Sequence, residues 1–313
     1  MRPPLTRIVV VVAALALLPL QASSWNKPGH MVTGAIAYHE LKQSSPETIR
    51  QVVLLLEQHP FYKTMWKPRI DQLRLRGDAR DRFLFIFAAR WPDDARDSPQ
   101  FHHAFWHFVN FPFKPPNQPS SVHTHEPEAE NVVAAFNLNL GVLRNPRATR
   151  PEKAVALCWI FHLVGDVHQP LHTTALFSTV FPNGDRGGNL WFVRNGSEVK
   201  NLHSFWDGLI LGSEDLQKVS ERADQLQGLP ELARPNLAEL SEKSFERWAK
   251  VESFAAAVEF GYLRGQLPAS SNERRPVPLS RNYVNSAQRV AQRRNILAGY
   301  RLADLLPALA NQH

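Results

Sequence analysis

The sequence contains two His–Asp pairs whose spacing suits metal binding. His162 and Asp166 are four residues apart, and so are His203 and Asp207. On a helix this spacing places both side chains of a pair on one face, with their Cβ atoms about 5–6 Å apart. The neighbours of the first pair are mostly apolar, which predicts a buried helix, where an ionised carboxylate is costly without a cation. The two pairs therefore favour a metal site over the ordinary alternative of ion pairs on helix surfaces.

Three other segments contain residues that could complete such a site. Pro170 ends the first helix, so that His172 can fold back towards His162. Asp93 lies in the segment Trp-Pro-Asp-Asp-Ala-Arg, and His107 lies in Trp-His-Phe-Val-Asn. Taken singly, Asp93 is a candidate turn or helix-capping residue and His107 a candidate core histidine. Together with the two pairs, these residues predict a cluster of imidazole and carboxylate ligands.

Residues 1–24 are typical of a secretory signal. A positively charged start precedes an apolar run of 11 residues, and the segment ends in Ala-Ser-Ser. A membrane-spanning helix needs about 20 apolar residues, so a permanent anchor is the less favoured alternative. Cleavage after Ser24 would make Trp25 the first residue, and its α-amine, with a reference pKa of about 7.7–8, would be a nitrogen ligand close to His30. We therefore expect an exported protein, periplasmic or secreted, with no membrane anchor after cleavage.

The composition is that of an ordinary globular protein. Its 313 residues are 43% hydrophobic and 21% charged, which excludes disorder, collagen and coiled coil as the main state. The net charge of +7 favours a polyanionic partner but does not choose between nucleic acid and an anionic membrane. The single cysteine, Cys158, excludes an intrachain disulfide, so the core or metal ions must supply the stability. The 13 histidines are many for this length and are a first indication of metal chemistry.

The candidate ligands must be positioned mainly by helices. Apolar periodicity and start signals such as Ser-Pro-Glu predict helices over 28–43, 46–58, 68–88, 129–144, 151–167, 203–211, 214–226, 230–264 and 281–306. A break near Pro235 is expected in the segment 230–264. The simplest account is one mainly α-helical domain that spans residues 25–313.

One short β-hairpin is the clearest exception to the helical pattern. Residues 190–193 predict a strand, and the Asn195-Gly196 dipeptide that follows predicts a type I′ turn. A short return strand is then expected near 197–199. Proline- and serine-rich connectors are expected at 111–122 and 267–279.

The motifs, taken in order, resemble the three-zinc, single-strand-specific nucleases of fungi, plants and bacteria, the S-one/P-one type. That family's order is an amino-terminal Trp, a nearby His, Trp-x-Asp-x-x-Arg, Trp-His-Phe, His-x-x-x-Asp-x-x-x-x-x-His and Asn-Leu-His-x-x-Trp-Asp. The sequence has every element in this order between Trp25 and Asp207, and Gly187-Gly188-Asn189 and the segment 298–303 also match. The resemblance covers essentially the whole mature chain. It implies the mainly α-helical fold that these nucleases share with bacterial zinc phospholipases C.

The resemblance implies three zinc ions held by nine residues. Asp166 would bridge the first two ions. The first ion would also be held by Asp93, His107 and His162, and the second by His30 with the amine and carbonyl of Trp25. The third ion would be held by His172, His203 and Asp207. This set of imidazoles and carboxylates without a thiolate suits catalytic zinc with open coordination positions. Cys158 is then expected to be a small core residue.

The resemblance also implies residues that contact the substrate. Arg96 would stabilise the transition state, because its planar guanidinium matches two phosphate oxygens. Phe108 would stack on a base, and Asn189 would contact the scissile phosphate. Asn110 and Arg186 occupy positions where fungal members have an aspartate that reads a base edge and an aliphatic residue that closes over the base. Three of these residues have a structural alternative: Arg96 could form a surface ion pair, Phe108 could be a core residue and Asn189 could complete a turn.

The implied reaction is hydrolysis of phosphodiester bonds in single-stranded DNA and RNA, with 5′-phosphate products and an accompanying 3′-nucleotidase activity. Two ions that share a water lower its pKa, and a third cation can stabilise the leaving oxygen. Two alternatives stay open. One is a zinc phospholipase C, in which Glu is typical at the position of Asp207, and the other is a non-catalytic zinc-binding protein of the envelope. We expect a monomer whose partner is single-stranded nucleic acid, with no stable protein partner.

Overall fold

The computed structural model describes residues 25–310, so the expected signal segment 1–24 lies outside the described residues. The described chain is mainly helical, and the predicted fold class is confirmed. Among residues 25–310, none of the helices combines the length and apolar character that a membrane span requires. The α-helices are α1 (Lys27–Ser44), α2 (Pro46–Leu56), α3 (Lys67–Gln72), α4 (Gly77–Asp94), α5 (Val132–Arg144), α6 (Arg150–His168), α7 (Leu202–Asp207), α8 (Leu216–Gln227), α9 (Phe245–Arg247), α10 (Phe254–Ala256) and α11 (Arg281–Ala310).

Helix α6 lies at the centre of the packing and contacts α1, α2, α4, α5 and α11. After its first turn nearly every side chain is buried, as expected for a helix that is apolar on all sides. This is why the apolar neighbours of His162 and Asp166 predict burial correctly. A capping box between Thr149 and Glu152 satisfies the first amides of the helix. Pro170 ends it, and the chain continues as a short 3-10 turn.

Helices α1 and α4 bring two further candidate ligands to α6. Asn26 caps α1 by accepting a hydrogen bond from the amide of Gly29, and His30 follows in the first turn. Asp93 lies in the last turn of α4. Because α1 packs on both α4 and α6, the start of α1 and the end of α4 meet beside α6.

Two small sheets join the loops around these helices. Strand β1 (Phe111–Phe113) pairs in parallel with β2 (Thr174–Leu176), directly after the segments that contain His107 and His172. The second sheet has the order β4-β3-β5, formed by β3 (Phe192–Asn195), β4 (Glu198–Asn201) and β5 (Val277–Pro278). Strands β1 and β5 lie in segments that the sequence predicts as connectors.

The predicted hairpin is confirmed, but its first strand begins at Phe192, two residues later than predicted. The predicted turn type is wrong. Asn195 still pairs with Glu198, so Gly196 and Ser197 form the loop. Of these two, Gly196 alone has a positive φ, of 62°. A glycine with positive φ at the first loop position is the pattern of a type II′ turn, and a type I′ turn would need it at both positions.

Two of the predicted helices are divided. The segment 68–88 is interrupted between α3 and α4, where Arg74 and Gly77 have φ angles of 53° and 51°, in the left-handed region that no helix interior adopts. The segment 230–264 has more than the one break expected at Pro235. Pro230 and Pro235 each start a separate 3-10 turn, and residues 245–261 then alternate between α- and π-helical turns.

Candidate metal centre

Three groups of buried histidine and aspartate side chains come together within residues 25–310. In each group, ligand atoms from three residues lie within 4.8 Å of one another. The groups are His30, His162 and Asp166; Asp93, His107 and His162; and His172, His203 and Asp207. These are the eight side chains that the sequence singles out as ligands, and they come from α1, α4, α6, α7 and the 3-10 turns before β1 and β2.

Asp166 connects the first two groups. Its Oδ1 lies 3.2 Å from Nε2 of His30, and its Oδ2 lies 3.2 Å from Nε2 of His162 and from Nδ1 of His107. The rings of His30 and His162 are stacked with their centroids 3.8 Å apart. One fully buried carboxylate therefore presents an oxygen to each group, which is the arrangement needed to bridge two cations.

Backbone carbonyls orient three of the imidazoles. Nδ1 of His162 lies 2.8 Å from the carbonyl oxygen of Ala89, and Nδ1 of His203 lies 2.7 Å from that of Gly187. Nδ1 of His172 lies 2.7 Å from the carbonyl oxygen of His107. Because a carbonyl oxygen can only accept, each Nδ1 carries the proton, and Nε2 of the neutral ring is left with a lone pair that faces the cluster. Metal-ligating histidines are held in this way in proteins.

The third group then needs a positive charge at its centre. Nε2 of His172 and Nε2 of His203 are 3.0 Å apart, and two lone pairs at this distance repel each other unless a proton or a metal ion lies between them. The two oxygens of Asp207 lie 3.8 and 3.7 Å from these nitrogens and complete a set of three donors. Imidazole and carboxylate donors in such a set fit zinc.

The protonation states of His162, Asp93 and Asp166 favour metal binding. Burial lowers the pKa of His162 to about 3, so the neutral ring has no proton to lose before it binds a metal. Burial opposes the ionisation of Asp93, but His162 and Arg96 favour it and lower its pKa to about 2. The pKa of Asp166 is likewise held well below its usual range by His162 and His107, against the effect of burial. Both carboxylates are therefore ionised at neutral pH.

Trp25 is fully buried at the start of the described chain. The amide of Asn26 donates a hydrogen bond of 3.3 Å to the carbonyl oxygen of Asp207. The side-chain amide of Asn26 donates a second, of 2.8 Å, to the carbonyl oxygen of Leu211. These two bonds attach the beginning of α1 to the end of α7, so that residue 25 is held close to the ligand groups.

Three residues outside the predicted set support the ligands. Gln169 is fully buried, and its side-chain amide donates a 2.7 Å hydrogen bond to Oδ1 of Asp207. Gly165 makes room for His30, because a Cβ at this position would lie 2.6 Å from Nδ1 of the imidazole. Gly187 has a φ of 63°, and a Cβ there would lie 2.4 Å from a backbone oxygen. The sequence signal for Gly165 and Gln169 was their position inside the ligand motif of residues 162–172, and that for Gly187 was the matching Gly-Gly-Asn segment.

Of the predicted substrate residues, Arg96 contacts a metal ligand directly, and Phe108 and Asn110 follow the ligand His107 along the chain. Nη2 of Arg96 lies 2.5 Å from Oδ1 of Asp93, so its guanidinium reaches the first group. Phe108 and Asn110 are half-buried and flank Val109, whose amide donates to the carbonyl oxygen of His172.

The loop that contains Arg186 and Asn189 reaches the third group through Gly187, which accepts the hydrogen bond from His203. Arg186 is exposed and has a φ of 55°, a strained value for a residue with a Cβ. The side-chain amide of Asn189 donates a 2.9 Å hydrogen bond to the carbonyl oxygen of Arg186. This contact closes the turn, which is the structural alternative to a phosphate contact for Asn189.

A buried ionic network fixes the end of the ligand helix α6. His168 is fully buried. Its Nδ1 bonds the carbonyl oxygen of Val164, which leaves Nε2 to accept a 2.8 Å hydrogen bond from Arg301. Arg301 and Arg294 both pair with Glu252, at 2.6 and 2.7 Å. Arg301 belongs to the C-terminal helix segment that resembles the nucleases, and the network gives it a role beside the site.

Replacing Glu252 by glutamine should destabilise the protein. Arg294 and Arg301 are 5% and 1% exposed, and the substitution would leave their charges without a carboxylate. Breaking a buried pair in this way costs about 3–5 kcal/mol, which equilibrium unfolding in urea would measure. Glu259→Gln is the matched control, because its partner Arg264 is well exposed, and we expect little change from it. Equal unfolding curves for the two variants would contradict this account of the network.

Known proteins similar in sequence to this chain are nucleases. The family model described as S1/P1 Nuclease matches residues 25–311. Endonuclease 1 of Arabidopsis thaliana is 23% identical over 322 residues, which cover 96% of this chain and 92% of that protein. Nuclease S1 of Aspergillus oryzae is 25% identical over 205 residues, which cover 64% of this chain and 59% of that protein. Endonuclease 4 of Arabidopsis thaliana is 31% identical over 137 residues, which cover 39% of this chain and 42% of that protein. The chain belongs to the S1/P1 nuclease family and is a nuclease.

Proposed function

We propose that this nuclease is an exported, zinc-dependent enzyme that hydrolyses phosphodiester bonds in single-stranded DNA and RNA, leaves 5′-phosphate products and acts as a 3′-nucleotidase. The observation that carries the proposal is the buried Asp166, whose two oxygens face two different His/Asp groups. Residues 25–313 would form the nuclease domain after removal of residues 1–24. The enzyme would act as a monomer without a stable protein partner.

The proposed centre holds three zinc ions. The ligands are Asp93, His107 and His162 for one ion; His30 with the amine and carbonyl of Trp25 for the second; and His172, His203 and Asp207 for the third, with Asp166 shared by the first two. Zinc bound there supplies a water of lowered pKa and positive charge for the phosphate and the leaving oxygen. The buried carboxylates and the carbonyl-bound imidazoles keep this ligand set preorganised before substrate arrives.

Arg96 has the geometry of a phosphate-binding residue. Its Nη2 is bonded to the ligand Asp93, which fixes the side chain at the edge of the first group. The side chain is 18% exposed, and we propose that the guanidinium N–H groups that do not bond Asp93 bind the phosphate. A guanidinium can donate two parallel hydrogen bonds to phosphate oxygens, which a lysine ammonium cannot reproduce.

The Arg96→Lys variant should lose activity while it keeps its metal. We expect kcat to fall by about 100- to 1,000-fold, the usual loss when one donor to a transition-state oxygen is removed. Hydrolysis of a single-stranded oligonucleotide measures kcat, and elemental analysis measures the zinc content.

The control for this variant is Arg90→Lys. Arg90 also pairs with an aspartate, Asp94, near the end of α4, but it is outside the three groups and should be dispensable for turnover. If both lysine variants kept full activity, Arg96 would have only the surface ion-pair role.

Four residues are proposed to contact the nucleic acid. Phe108 would stack on an unpaired base, since a base exposes its flat face only when it is unpaired. Arg186, exposed beside the third group, could stack by its guanidinium plane. Asn110 has both donors and an acceptor, so it could pair with several base edges. Asn189 would present its side chain to the phosphate from the loop that supports His203.

A comparison of substrates tests the proposed function. The protein beginning at Trp25, reconstituted with zinc, should hold three zinc ions per chain and cleave single-stranded DNA and RNA faster than duplex DNA. Phosphatidylcholine vesicles test the phospholipase alternative in parallel. Hydrolysis of the lipid alone would overturn the nuclease proposal, and tight zinc binding without turnover of any substrate would favour the binding protein.

A further inference from the structure

Phe105 is an exposed aromatic residue beside the proposed base-binding side chain. It is 49% exposed, more than any other phenylalanine among residues 25–310. It lies on the 3-10 turn Ala104–His107, three residues before Phe108. The two phenylalanine rings have their centroids 6.1 Å apart.

Core packing does not account for the exposed ring. Trp106 and His107, the next two residues, point to the interior: Trp106 packs edge-on against Trp159 at 4.8 Å, and His107 joins the first metal group. Single exposed hydrophobic residues are common on protein surfaces and need no explanation by themselves. Phe105 differs because its neighbour in space is the ring proposed to bind a base, one residue after a proposed ligand.

The two rings are unsuited to holding the same base. They are inclined at 60° to each other, so a base that lies flat on Phe108 cannot also lie flat on Phe105. Successive bases that remain stacked along a strand are about 3.4 Å apart, which is much less than the 6.1 Å between the rings. The pair of rings therefore matches two neighbouring bases that have separated and turned away from each other.

We propose that Phe105 stacks on the base of the nucleotide next to the one held by Phe108, and so forms a second base subsite for single strands. This inference rests on the proposed function. A phenylalanine ring has no hydrogen-bonding group, so the subsite accepts any base. A duplex cannot fill it, because its bases are paired and parallel. The subsite thus adds to the preference for single strands and for substrates longer than one nucleotide.

The test compares a substrate with one base and a substrate with many. Thymidine carrying a 3′-nitrophenyl phosphodiester offers one base, and oligothymidylate offers several. Phe105→Ala should lower kcat/KM on oligothymidylate by about tenfold, mainly through KM, which corresponds to the loss of one stacked base. It should leave kcat/KM on the one-base ester unchanged. Phe105→Trp should restore the value on oligothymidylate.

A binding measurement and a control variant make the result specific. Fluorescence anisotropy of the zinc-loaded protein with a hydrolysis-resistant phosphorothioate oligothymidylate should show a similar loss of affinity in Phe105→Ala. Phe260→Ala removes another exposed phenylalanine, 37% exposed, and should change neither substrate. Equal losses on both substrates, or no loss on oligothymidylate, would overturn the subsite. A wild type that cleaves neither substrate would instead refute the proposed function. The two failures are therefore distinguishable, because the first is seen in the variant and the second in the wild type.

Discussion

His162→Ala is expected to abolish hydrolysis. His162 belongs to two of the three groups, so its loss removes a ligand facing Asp93 and His107 on one side and Asp166 on the other. Changing a residue that only supports a metal ligand already costs about 10- to 100-fold in metal affinity or activity. Loss of a zinc ligand itself should exceed this range. Steady-state cleavage of single-stranded DNA measures the activity, and elemental analysis should show that zinc is lost as well.

The same variant should lose the stabilisation that zinc provides. A ligand that binds only the folded state raises its stability, so a chelator should lower the melting temperature of the wild type by more than that of His162→Ala, which keeps only the zinc site of His172, His203 and Asp207 intact. His39→Ala is the control, because His39 lies on α1 with its side chain 41% exposed and outside the groups. An active and equally stable His162→Ala protein would contradict the zinc assignment.

The sequence predicted the helices whose ends are marked by specific residues. Helix α6 begins at a capping box and ends before Pro170, and the predicted and observed bounds agree within one residue. The break between α3 and α4 was missed although Gly77 is a local signal for it, and its other residue with positive φ, Arg74, has no intrinsic preference for that conformation. Packing of the surrounding helices selects that conformation, and a local pattern does not reveal it.

The candidate site was predictable in its parts and not in its assembly. The spacing of His162 and Asp166 indicates a shared helix face, but nothing in it requires His30 and Asp93 to meet there. The ordered resemblance to the nucleases supplied that expectation, and the packing of α1 and α4 on α6 accounts for it.

The supporting contacts were harder to predict. Glu252 pairs with Arg301 across 49 residues of sequence, and Gln169 reaches Asp207 across 38. Neither pair has a periodic signature, because each depends on how distant elements pack. Long-range polar contacts of this kind become visible only in the folded chain.

In the proposed function, the terminal amine of Trp25 is the part of the centre that depends on removal of residues 1–24. Asn26 attaches this segment to Asp207 and Leu211, and Trp25 is fully buried. If the α-amine of Trp25 is a zinc ligand, it must be free, because an amide nitrogen has no available lone pair. Export and cleavage would then complete the centre only after the chain has left the cytoplasm.

A protein that keeps Ser24 before Trp25 should therefore fold and yet be nearly inactive. The extra peptide bond removes one nitrogen donor, and we expect an activity loss of more than about 100-fold, beyond that of a supporting residue. Far-ultraviolet circular dichroism should be unchanged, because the hydrogen bonds of Asn26 do not need a free amine. Proteolytic trimming of the same sample back to Trp25 should restore both the activity and the third equivalent of zinc. Full activity before trimming would remove the terminal amine from the centre and leave His30 and Asp166 as the donors of that group.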